Sequence, residues 1–311
     1  MTMQYSPQTR LFAELQDLKR QVPAHFERSI SSALFVESWQ RLFAEQRVDR
    51  VARTVTTKML LHILLPGCDS GFYHRAGLKR ADVREILEHA LAQVGGKRVP
   101  NDVVRDLRDA LPEITDEYSG AVDPIRGEPA WFVEALCRQP RAGATSPGKP
   151  RLLLTPPEMH SDHCLLTATY AYLLSHEYKA DPAVAWLCGL AHHLHNAVLP
   201  DCGFAGEILL EPWLDRIFQN GRQHCLAAMP PPLAAQVRDA LTHHETISAP
   251  EGKAISAGDV LDRVLDVRWR TRAAAVRDED ILDELELVHA GALKTFQDHL
   301  LESHGVWKSV L

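Results

Sequence analysis

The sequence predicts an all-α fold. Apolar residues recur at helical spacing in segment after segment, and alternating strand patterns are nearly absent. A third observation sets the scale: 311 residues with 45% hydrophobic and 24% charged side chains make a globular chain that can bury a sizeable core without staples.

The first helix is expected over Thr9–Gln21, where Leu11, Leu15 and Leu18 fall at i, i+4 and i+7. Ser38–Val55 continues the pattern through Trp39, Leu42 and Phe43. Leu78–Val94 follows with Val83, Ile86, Leu87 and Leu91, and stops at Gly95-Gly96. Asn101 or Asp102 caps a helix that runs toward Leu111 and ends before Pro112. Residues 139–150 (QPRAGATSPGKP) shift to Pro, Gly, Ser and Ala and read as an interdomain linker, with RLLLT (151–155) as a short strand or extended chain. Helices resume over His163–His176, Pro182–His195, Glu211–Leu226, Pro232–His244, Ser256–Arg270 and Glu279–Leu301. This divides the chain into an N-terminal helical region (1–138), a linker (139–157) and a second helical domain (158–311).

The formal net charge of −7, from 34 Lys+Arg and 41 Asp+Glu, argues against a nucleic-acid binder with a broad basic face. No apolar stretch approaches the ~20 residues of a membrane span, and no basic-then-apolar leader opens the sequence. The six cysteines are scattered without a C-x-x-C pair, so a cytoplasmic chain with reduced thiols is expected. Self-association is left open. Neither G-x-G-x-x-G nor G-x-x-x-x-G-K-[ST] occurs. Ser161 lacks the strand–turn–helix elbow of a nucleophilic serine.

Histidine is the unusual count: nine of 16 fall between His160 and His244. Besides His176, they lie in Met159-His160-Ser161-Asp162-His163, in Leu190-Ala191-His192-His193-Leu194-His195-Asn196, at His224, and in Leu241-Thr242-His243-His244-Glu245. Ser256-Ala257-Gly258-Asp259-Val260-Leu261-Asp262 follows on the next helix. Neutral imidazoles and a carboxylate on neighbouring helices make a mixed N/O pocket suited to Mn, Fe or Zn. Such an ion lowers the pKa of water toward ~7 and polarises a phosphoryl oxygen.

Each residue also has a plainer reading. His160 is expected in a loop, and His193 and His195 can face solvent at a helix end. Asp259 can be an N-cap, and Asp259, Asp262 and Asp266 a solvated acidic stripe at i, i+3 and i+7. Of His243 and His244, adjacent on a helix, one at most reaches a common pocket. Lys253, Arg263 and Arg268 lie where phosphate contacts would be useful. The turn Cys68–His74 is a helix connection or a contact loop.

From residue 158 to about 270 this order resembles the HD superfamily of metal-dependent phosphohydrolases. His163 matches the lone His, GLAHHLHNAVLPD looks like the ALLHDIG segment, ALTHHE is similar to the His-His-Glu of the cyclic-dinucleotide phosphodiesterase branch, and SAGDVLDRVLD looks like the terminal Asp element. The resemblance implies an HD-like helical bundle and metal ligands among His163, His192, His193, His224, His243, His244 and Asp259. It implies catalytic roles for His192, His193 and Asp259, a divalent transition metal, and a nucleotide or other small phosphorylated substrate. His193 stands where the family has Asp. An imidazole bridges two metals only as imidazolate, so a mononuclear site on His163, His192 and Asp259, with or without His193, is expected. Two other functions fit the same resemblance: a degenerate domain serving as a regulatory or interaction module, and an iron-dependent oxygenase.

Overall fold

The structure, a computed structural model, describes residues 5–125, 127–149, 151, 155–244, 246–271, 282 and 287–307. Among them are fifteen α-helices and no strand, so the fold is all-α. The first half contributes α1 (Pro7–Leu15), α2 (Ile30–Glu45), α3 (Val48–Leu64), α4 (Ser70–Arg75), α5 (Arg80–Gly95), α6 (Asn101–Arg108), α7 (Leu111–Tyr118) and α8 (Trp131–Arg138). The second half contributes α9 (His160–Tyr178), α10 (Pro182–Ala191), α11 (Gly203–Leu210), α12 (Leu214–Leu226), α13 (Pro231–Leu241), α14 (Pro250–Thr271) and α15 (Lys294–Ser303). No helix among the described residues is long and apolar enough to cross a membrane.

Several boundaries differ from the periodicity. The stretch expected as one helix over Ser38–Val55 is two, because Gln46 turns left-handed (φ 53°) and closes α2 on Leu42 O. Pro112 does not end a helix but opens α7, where its missing N–H costs nothing. α1 stops at Leu15 and continues as a 3₁₀ turn, Gln16–Lys19. The candidate strand at 151–155 falls largely on residues outside the described set, as does the start of the helix expected from Glu279.

α9 is the axis of the molecule. Every residue from His160 to Ser175 is buried, and α14, α10, α2 and α8 pack around it. Two glycines set the closest approaches. A Cβ on Gly189 of α10 would lie 2.7 Å from Ala168 Cα, and one on Gly258 of α14 would lie 2.8 Å from Thr167 O. α10 is started by Asp181, whose Oδ1 accepts from Ala183 N and Val184 N, with Pro182 next.

The core does not divide at the expected linker. One apolar cluster runs from Leu11 to Trp307 and takes in both halves. Polar ties reinforce it: Ser29, the N-cap of α2, and Ser31 donate to Asp162 Oδ1 at 2.5 and 2.6 Å. The segment read as a linker is clasped to the start of α9. Arg141 N–H donates to Glu158 O, and His160 N–H donates to Gln139 O. Ala142 N–H donates to Asp201 Oδ2.

Candidate metal centre

Three helices converge at one point. His163 stands one turn into α9, His192 and His193 follow the last residue of α10, and Asp259 lies in the middle of α14. That last position removes the capping reading of Asp259, since α14 starts nine residues earlier at Pro250. His163 Nε2 is 3.2 Å from His192 Nε2 and 3.2 Å from Asp259 Oδ1. Ligand atoms ~2.0–2.1 Å from a tetrahedral ion lie about 3.3 Å apart, so each of these two spacings fits a pair of ligands on one ion.

The opposite edge of each ring is tied down. His163 Nδ1 donates to Asp262 Oδ2 at 2.7 Å, and His192 Nδ1 donates to Gly189 O at 2.7 Å. His193 Nδ1 donates to Asn196 Oδ1 at 2.8 Å. With each Nδ1 carrying its proton outward, three Nε2 lone pairs turn inward, the arrangement that outer hydrogen bonds impose on metal-binding histidines. A ligand nitrogen from each of His163, His192 and His193 lies within 4.8 Å of the others.

Electrostatics favour a cation. Burial, then the neighbouring His163, holds His192 well below the ordinary histidine range. Burial, then His192 and Arg141, does the same for His193. Burial works against ionisation of Asp259, but Arg263 and His163 outweigh it and keep the carboxyl far below its usual range. Burial and Arg141 would lower His163, yet its bonds to Asp259 and Asp262 raise it. The neutral His192 and the ionised Asp259 thus flank His163, whose extra proton a metal ion can displace.

The remaining candidates separate. His244 faces the centre, its ring 5.6 Å from His192, whereas His243 turns to Glu251 at 3.9 Å; only one of the pair therefore points inward. His224 is exposed and packs on Trp131 at 4.9 Å, so it does not join the centre. α12 turns Gly221 and Cys225 inward, which leaves His224 on its outer face. His160 and His195 are buried, not in a loop or solvent: His160 Nδ1 donates to Gln139 O, and His195 packs on Phe218 at 4.1 Å.

Asp262 and Asp266 are not a solvated stripe either. Lys19 Nζ sits 2.8 Å from Asp262 Oδ1 and also pairs with Glu158, while Arg20 and Arg270 close on Asp266. Glu158, His163 and Asp262 form a second group with metal-ligand spacing, but the Lys19 ammonium already serves it.

Above the centre lies a cavity of about 610 Å³, in the range of small-molecule sites. Arg141, Arg222, Arg263 and His244 line it, with Phe204 and Phe218 as apolar walls. Sequence reasoning missed Arg141, which sits in the supposed linker, and Lys19, 243 positions from its partner. It named Asp262 without a role. The i, i+3 spacing from Asp259 was the available signal, because it puts both carboxylates on one face of α14, where they meet opposite edges of His163. Comparisons with protein-family models, with curated proteins and with solved structures find no match to this chain.

Proposed function

We propose that the chain is a metal-dependent phosphohydrolase acting on a nucleotide or another small phosphorylated metabolite. The observation that carries this reading is that His163 Nε2 lies 3.2 Å from both His192 Nε2 and Asp259 Oδ1, with each imidazole's far edge hydrogen-bonded. Mn, Fe or Zn suits this donor set. Such an ion supplies Lewis acidity toward a phosphoryl oxygen and activates water at neutral pH.

The protein's own groups do the rest. Asp262 holds His163 in one tautomer, and Gly189 O does the same for His192. The arginines on the cavity wall supply charge for a phosphate, with guanidinium geometry suited to its oxygens. Phe204 and Phe218 offer apolar surface for the rest of a substrate. A purely regulatory role would fit side chains that point apart or are packed shut. Here they converge and open onto a cavity of ligand size.

Protein prepared without chelator is expected to carry a divalent transition metal and to hydrolyse a phosphoester. His192→Ala should abolish both, while His224→Ala should leave the metal content unchanged. Metal analysis that finds none in native protein would sink the reading.

A further inference from the structure

His193 is the member of the histidine cluster whose inward nitrogen is already in use. Arg141 Nη1 donates to His193 Nε2 at 2.6 Å, and a neutral imidazole has one lone pair at that atom. The same nitrogen cannot hold a metal ion while it seats a guanidinium. His163, His192 and Asp259 remain, a three-ligand set with an open position.

Arg141 is positioned as firmly as the ligands. Its backbone N–H is bonded to Glu158 O, the next residue's N–H is bonded to Asp201, and its side chain lines the cavity. Its ion pair with Glu158 is loose, 3.7 Å from Nε, and that carboxylate is shared with Lys19. Two more acids lie near it, the ligand Asp259 and Asp201, and Asp201 accepts the backbone N–H groups of Ala142 and Gly203. A delocalised cation with few anionic partners therefore faces the cavity one imidazole away from the metal ligands. Phosphoryl transfer needs positive charge on more than one oxygen, which a second metal ion or an arginine can supply.

We propose that the site takes one metal ion, not two, and that the guanidinium of Arg141, seated on His193, receives the phosphoryl oxygens of the substrate in place of a second ion. This rests on the metal-dependent reading above and names the substrate contact at that site.

The test uses the full chain loaded with excess Mn²⁺ and desalted, its metal content measured by mass spectrometry, and inorganic phosphate titrated calorimetrically. One Mn²⁺ per chain is expected. Arg141→Met should retain it while binding phosphate at least about tenfold more weakly, the scale of a lost charge-assisted hydrogen bond. Arg141→Lys should recover part of that loss. His193→Gln, whose amide oxygen can accept the same guanidinium bond, should also keep one Mn²⁺. Two ions per chain, loss of the ion in His193→Gln, or unchanged phosphate affinity in Arg141→Met would each overturn the proposal and leave the metal-dependent reading standing. No ion in the native chain would instead bring down that reading, and the proposal with it.

Discussion

Asp262 belongs to the centre although it faces away from the space between the ligands. Its Oδ2 accepts from His163 Nδ1 at 2.7 Å, and its other oxygen meets Lys19 and Gln16. Burial would raise its pKa, but Lys19 and His163 together keep it below the usual carboxylate range, so it presents a full negative charge to the ring. A carboxylate there fixes the tautomer that leaves Nε2 bare and makes that nitrogen more basic. Asp262→Asn is therefore expected to weaken Mn²⁺ binding by roughly 10–100-fold, as loss of an outer partner of a ligating histidine does. A direct Mn²⁺ titration reads this, and an unchanged affinity would show that His163 is oriented by packing alone.

At the scale of elements, the centre exists because three helices come unusually close, and glycines permit it. A Cβ at 258 would meet Thr167 O at 2.8 Å and Ala171 N at 3.0 Å, both backbone atoms that cannot swing aside. Gly258→Ala should therefore force α14 away from α9 and cost about 1–3 kcal/mol, the usual range for overpacking. Asp259 is the next residue, so metal affinity should fall together with the thermal midpoint. A variant that melts like the parent and binds Mn²⁺ normally would contradict this account. Periodicity identified most of these helices because an amphipathic or buried helix writes its pattern locally. It did not find the break at Gln46, a non-glycine residue in the left-handed region, or the opening role of Pro112. Both depend on how neighbouring helices are aimed, not on local composition.

Over the whole molecule, buried neutral histidines make stability depend on pH. Burial pushes His62 down to about 4, and both His160 and His195 to about 3; His192 and His193 also lie well below the ordinary value. Unfolding exposes rings that titrate near ~6.5, so between that pH and the folded values the unfolded chain binds more protons. Stability contributed by these rings is complete above pH ~6.5 and is lost as the pH falls toward 4, by up to ~1.4 kcal/mol per pH unit for each ring. His163, whose pKa is raised, works in the opposite sense but in a different window: its contribution is complete below pH ~6.5 and is lost only as the pH rises above that. Metal-free protein should accordingly show a midpoint that drops steeply from pH 7 to pH 5 in urea or thermal unfolding. A flat or rising midpoint across that interval would refute it.

The sequence by itself determined the helical class and the order of the chemistry: His163, then His192-His193, then His243-His244, then Asp259, each assigned to its own helix. Those properties are local, carried by spacing along a few turns. Only the tertiary structure decided which nitrogen of each ring turns inward, that His224 stays outside, that residues 141–145 form a wall of the cavity, and that Lys19 meets Asp262 and Arg141 meets His193. The reason is that a buried charge must be met by an opposite charge or a hydrogen bond, wherever in the chain that partner lies. Lys19 and Asp262 meet across 243 positions, and Arg141 and His193 across 52. Pairings of that kind follow from the packing of the helices and leave no periodic trace in the sequence.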